Sequence, residues 1–511
     1  MGATETLLLL LTRPNEFRQL ALFWLWHIPK RDITSVSEYE TSGWDRPNMK
    51  KCWDFLDMTS RSFSAVIKEL DGDLARVICL FYLVLRGLDT VEDDMTIPHE
   101  TKQTLLRTFH EKILTEGWTF TGSGPREKDR ELLVHFDVVV PELLSLPPHY
   151  RDVIKDCCKV MGIGMADYAA KAHASGKLGL ETIEDLDLYC HYVAGIVGEG
   201  CSRIFSASGK EREIIGQQLV LSNDMGLLLQ KTNVLRDFRE DVDQGRLFWP
   251  REIWGTLPTT ASDEKKAVVS RTWSAGFSEP TEMYDPKNRQ RALWALSAFT
   301  LNALNHAVPA LDYLSLLRNQ TVFNFSSIPQ TMAMATLSLC FMNPTVFERN
   351  VKIRKGEAAN LIMRSTNPRE VAIIFRHYAR IIHHKASPSD PNFLRISVAC
   401  GKIEQWYEHR YPSFVTLSTS GSGAQYDSSD LRGKVQVREQ EKIRALEFRK
   451  RADDILKRTQ DGDGVVPPAL GPNEDLSTKE VLTYAVGLVL LLIVLGLGIV
   501  FGLIWYFDSK A

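Results

Sequence analysis

The chain has 511 residues, 44% of them hydrophobic and 24% charged, with a formal net charge of −3. That length is ample for a large buried core, and the near-neutral balance gives no reason to expect nucleic-acid binding. Eight cysteines without metal-ligand spacing are too sparse for a disulfide scaffold and read as buried thiols of a reducing compartment.

In chain order, the apolar run 7–11 lacks a basic n-region and ends at Arg13-Pro14, so no signal peptide is expected. The sequons at Asn319 and Asn324 are then not glycosylated. From about Lys50 to Tyr411 helical periodicity dominates, with long patterns over 74–88, 147–171, 183–206, 214–241, 289–317 and 329–339. Alternation with hairpin turns is scarce, so the expected class is all-α. Composition shifts to Ser, Thr and Gly over 414–429, which marks a flexible linker and ends a catalytic helical domain of 1–415. Within the linker region 416–480, residues 432–458 carry ten Lys or Arg against five Asp or Glu. That stretch reads either as a helix against an anionic leaflet or as a solvated charged helix.

Residues 481–507 form an uncharged run of 27 residues. As a helix it is about 40 Å long against a hydrocarbon core of about 30 Å. It reads as a tail anchor with Trp505 and Tyr506 at the interface and 508–511 as a short lumenal tail, the bulk of the protein facing the cytosol. Gly498 and Gly502 offer a small-residue face for contact with another helix.

The chemistry rests on two acidic motifs, Asp89-Thr-Val-Glu92-Asp93, followed by Asp94, and Asp237-Phe-Arg-Glu240-Asp241. Each sets carboxylates at i, i+3 and i+4, on one helical face. A solvated helix surface is the ordinary explanation of such runs, but 77–85 is apolar all round, so the first set emerges from a buried helix. In the second, Gln230, Asn233, Asp237 and Asp241 form a polar stripe on an otherwise apolar helix, as expected of a cavity wall. Buried carboxylates need partners, and Mg2+ prefers a few carboxylates shared with substrate phosphates, so the six acids are candidate metal ligands of a diphosphate site. Arg86, Arg236, Arg246 and the segment Arg61-Ser62-Phe63 are the candidates for gripping phosphate oxygens. His383-His384 is weak as a metal pair, and no Gly-x-Gly-x-x-Gly follows a strand, so no Rossmann domain is expected. Gly162, Gly164, Gly198 and Gly200 read instead as close helix contacts.

The acidic blocks, together with 189–195 (Tyr-Cys-His-Tyr-Val-Ala-Gly), 322–330 (Val-Phe-Asn-Phe-Ser-Ser-Ile-Pro-Gln) and 351–356 (Val-Lys-Ile-Arg-Lys-Gly), resemble in order the successive blocks of the eukaryotic squalene synthase family. The resemblance spans about residues 50–410 and ends in the anchor expected of that family, while 364–391 and the basic stretch after Arg432 look like fungal-type extensions. It implies an isoprenoid-synthase helical fold with a central cavity. The implied reaction condenses two farnesyl diphosphates to presqualene diphosphate and then reduces that with NADPH to squalene, at the endoplasmic reticulum membrane. It further implies that Tyr189 serves the first half-reaction, Phe325 the second, and Lys352 and Arg354 the cofactor phosphates. Spacing alone does not separate Tyr189 from Tyr192. Phytoene synthase shares the acidic motifs and the first condensation, but lacks the reductive step and this kind of anchor.

Overall fold

Apolar residues recurring at three- and four-residue steps build helices through nearly all of the described chain. The computed structural model describes residues 9–26, 31–60, 63–175, 178–255, 274–412, 435, 438–447 and 450. Arg61, Ser62 and the apolar run 481–507 lie outside them. The main helices are α1 (Pro14–Trp26), α2 (Pro47–Thr59), α3 (Leu74–Asp93), α4 (His99–Lys112), α5 (Pro148–Ser175), α6 (Ile183–Cys190), α7 (Ile196–Ala207) and α8 (Leu219–Arg236). They continue with α9 (Phe238–Asp243), α10 (Arg289–Leu304), α11 (Ala307–Leu316), α12 (Gln320–Cys340), α13 (Lys355–Arg364), α14 (Pro368–Lys385) and α15 (Phe393–Arg410).

The all-α expectation holds, with one small addition: strands β1 (Leu178–Gly179) and β2 (Arg246–Leu247) pair in parallel, Leu178 opposite Arg246. A compact unit ends at Ser413. The second unit, 414–511, is helical over 438–447. Among the described residues no helix is long and apolar enough to cross a membrane.

α3 forms the centre of the core, with Leu74, Val77, Leu80, Leu83, Val84 and Leu88 fully buried. The expected glycine contacts are present. A Cβ on Gly162 of α5 would lie 2.2 Å from the Leu106 carbonyl of α4, and one on Gly198 of α7 would lie 2.3 Å from the Ser222 carbonyl of α8. Glycine therefore sets how closely these helices cross.

Three expected helices are broken, two of them at the site. The 183–206 pattern contains a π-helical segment, His191–Gly195, between α6 and α7. The 214–241 pattern gives way at Asp237, whose φ of −92° and ψ of 6° separate α8 from α9. Burial of Phe238 fixes that break: its ring packs 4.5 Å from Trp249 and 5.6 Å from Phe347, which turns the preceding aspartate outward. The 289–317 pattern parts at Asn305-His306. α12, by contrast, starts well before Pro329, because the Asn319 side chain accepts from the amides of Thr321 and Val322. Pro329 sits inside this helix and, having no amide hydrogen, leaves the Phe325 carbonyl without its i+4 donor.

Candidate active site

The last turn of α3 buries Thr90 and Val91 and turns Asp89, Glu92 and Asp93 toward a polar chamber. Arg86, one turn earlier, lies 3.5 Å from Asp89 and donates to the Tyr82 hydroxyl at 3.1 and 3.2 Å, with Asp129 4.0 Å behind it. Asp94 is a different kind of residue. It is 3% exposed and accepts from the amides of Thr96 and Gly124, so it closes the following turn.

From the other side, Gln230, Asn233, Asp237 and Asp241 line the same chamber, as their stripe predicts. Arg236 forks onto Asp237 at 2.8 and 2.6 Å. Asn350 donates to Asp237 and, at 3.1 Å, to Glu240. Glu240 departs from the expectation: it is exposed and outside the chamber lining, because the turn after Asp237 points it to solvent.

Arg246, delivered by the β1–β2 ladder, joins the two motifs. One terminal nitrogen contacts Asp93, and the other lies 3.5 Å from Asp241 and 2.8 Å from the Gln244 side chain. Two acidic clusters about 150 residues apart in sequence are thus within the reach of one guanidinium.

Tyr189 lines this chamber and is 4% exposed; it stacks on Phe248 with ring centroids 5.1 Å apart and meets the edge of Tyr168. Tyr192 instead packs against Gly164 of α5, so the structure separates the two tyrosines that spacing leaves equivalent. The polar chamber shares Arg86, Asp89, Val193, Gln230 and Asn233 with an apolar cavity of ≈ 290 Å³. Phe63 and Phe325 both line that cavity, and the Phe325 ring meets Phe205 edge-on at 5.8 Å.

Burial dominates the electrostatics. It pushes the Asp89 carboxyl up to about 7 against the pull of Arg86, and Asp93 and Asp129 add to the rise. It lifts Glu92 to about 8 with help from Asp93 and Asp89, and Asp241 to about 7 despite Arg246. The Tyr189 phenol is held well above its usual range by burial and then by Glu92 and Asp93, so it is a neutral hydroxyl. Among the described residues no three His, Cys, Asp or Glu side chains converge as a ready-made metal cage. The donor set instead suits a hard cation that takes one or two carboxylates and completes its shell with water and phosphate, and the raised carboxyls mark the charge it would supply.

The basic block lies beside the second cluster, since Asn350 is two residues from Lys352. Both Lys352 and Arg354 are exposed, and Arg354 sits 4.0 Å from Glu16 of α1. His383 and His384 are exposed on α14 and belong to no metal-holding group among the described residues. Sequence reasoning missed Asn350, Tyr82, Asp129 and Phe248. Phe248 stood two residues from Arg246 and Tyr82 one turn before Arg86, while nothing local marks Asn350 or Asp129.

A helical fold with facing acidic clusters at the mouth of an apolar cavity defines an enzyme that handles prenyl diphosphates. The family model described as squalene/phytoene synthase matches residues 56–357. A squalene synthase of Ganoderma lucidum is 58% identical over 90% of this chain and 97% of its own length. Those of Mycosarcoma maydis and Schizosaccharomyces pombe are 50% and 47% identical over 84% and 81% of this chain, and 75% and 87% of their own. A solved ligand complex of TcSQS superposes with a TM-score of 0.64 at 38% identity, covering 71% of this chain and 99% of that one. The chain belongs to the squalene/phytoene synthase family, on its fungal squalene synthase branch. The reaction of that branch is the condensation of two farnesyl diphosphates to squalene, a step of sterol biosynthesis.

Proposed function

We propose that the two acidic clusters hold Mg2+ and that the polar chamber receives the diphosphates of two farnesyl chains while the apolar cavity receives their hydrocarbon. The observation that carries this reading is the bridge of Arg246 between Asp93 and Asp241 at the shared mouth of chamber and cavity. Asp89, Glu92, Asp93, Asp237 and Asp241, which line the chamber, are the carboxylates that would hold the metal, with Glu240 outside the lining. Bound Mg2+ supplies charge that draws a diphosphate off its allylic carbon. Arg86, Arg236 and Arg246 then have carboxylate partners to exchange for phosphate oxygens, Gln230 and Asn233 donate amide hydrogens, and Arg61 and Ser62 would extend the grip. Phe63, expected beside them, lines the apolar cavity instead.

Tyr189 serves the first half-reaction, which forms presqualene diphosphate. With its proton held firmly, the phenol orients and donates a hydrogen bond, and passes a proton on only where a departing diphosphate can accept it. Phe325 presents a ring face to cationic carbon in the second half-reaction, inside a cavity that excludes water. Lys352 and Arg354, beside the second cluster, would hold the phosphates of NADPH, which when bound would supply the hydride. The run 481–507 anchors the enzyme in the endoplasmic reticulum membrane with the catalytic unit facing the cytosol, and Gly498 and Gly502 are where the anchor would meet another helix.

Detergent-solubilised full-length protein given farnesyl diphosphate and Mg2+ should accumulate presqualene diphosphate without NADPH and squalene with it. Folded protein that forms neither product overturns the reading. Phytoene-type turnover, unaffected by NADPH, overturns its reductive half.

A further inference from the structure

Lys231 has no accessible surface, although it follows Gln230 of the site directly. It points away from the chamber, contacts Asp187 of α6, and lies 2.7 Å from His306 Nε2 at the start of α11. Because an ammonium only donates, His306 must accept at Nε2 and carry its proton on Nδ1. That nitrogen donates to Asp224 at 2.5 Å. Asp224 and Lys231 are seven residues apart on α8 and share a face, so His306 spans two turns of one helix.

Asp187 is two residues before Tyr189. A second tie lies just beyond the tyrosine, where His191 of the π segment meets Asn223 of α8 at 2.9 Å. Three residues beyond His191 the backbones nearly touch, since a Cβ on Gly226 would fall 2.3 Å from the Ala194 carbonyl. The segment that carries Tyr189 is therefore fixed, on both sides of the tyrosine, to the helix that carries Gln230, Asn233 and the approach to Asp237. A buried charge is a poor way to gain stability, but its directional partners specify register.

We infer that Lys231, held by Asp187 and the His306–Asp224 pair, is a positioning residue that sets Tyr189 against the polar stripe of α8 for the first half-reaction. The inference rests on the role given above to Tyr189, so the test begins with Y189F. An intact first half-reaction in Y189F overturns that role. With the role established, K231M should lower kcat for presqualene diphosphate formation by about tenfold or more while KM for farnesyl diphosphate stays within about twofold. Conversion of supplied presqualene diphosphate to squalene should stay within about twofold, and K231M should add no further loss in the Y189F background. Equal loss in both half-reactions, or a cost that repeats in full on Y189F, overturns the inference. D187N, at a carboxylate 41% exposed, enters the same cycle if K231M does not fold, and the same two outcomes decide it.

Discussion

Asp89, Glu92 and Asp241 are neutral in the folded protein up to about 7, 8 and 7, whereas ordinary carboxyls ionise near 4. Their folded values are raised, so the stability they contribute is present below about pH 4 and is lost as pH climbs through the folded values. Without divalent cations the unfolding free energy should fall between pH 5 and pH 8 by on the order of 2 kcal/mol after allowing for the partial exposure of these side chains, read as a drop in Tm. Asp89→Asn should flatten part of that slope, and Mg2+ should restore more Tm at pH 8 than at pH 6. A slope identical in wild type and D89N would remove Asp89 as its source. These acids were legible in the sequence because each belongs to a motif with carboxylates at i, i+3 and i+4. Asn350 was not: a lone asparagine 113 residues from Asp237 has no pattern, and only the tertiary fold brings it to the cluster.

At the scale of elements, helix crossings are set where glycine removes a side chain. Gly162→Ala forces a methyl group against the Leu106 carbonyl and should destabilise by about 2–3 kcal/mol in chemical denaturation. Gly401 of α15 has nothing within 4 Å, so Gly401→Ala should stabilise by about 0.5–1 kcal/mol. A similar effect of both substitutions would show that helix propensity rather than contact governs them. The long helices were readable from periodicity, but their breaks were not. Asp237 parts α8 from α9 because Phe238 is drawn under Trp249, and a distant tryptophan leaves no trace in the local pattern. Pro329 misled in the opposite direction: proline favours a first turn, yet packing on both sides holds it inside α12.

For the whole molecule, residues 1–413 form a compact unit containing the chamber, the cavity and the basic block. A chain ending at Ser429 should fold and turn over farnesyl diphosphate with kcat within about threefold of the full-length enzyme in detergent. Loss of turnover by a folded truncated chain would assign the second unit a part in catalysis. The Arg246 bridge has a consequence for what such an enzyme admits. The guanidinium already has two carboxylates, so an incoming anion would have to replace both before anything is gained. A single negative oxygen trades one ion pair for another, whereas a diphosphate offers enough charged oxygens to displace both acids together. If diphosphate binds at Arg246 as proposed, the internal ion pair would act as a threshold against weakly charged esters before the shape of their hydrocarbon is ever tested.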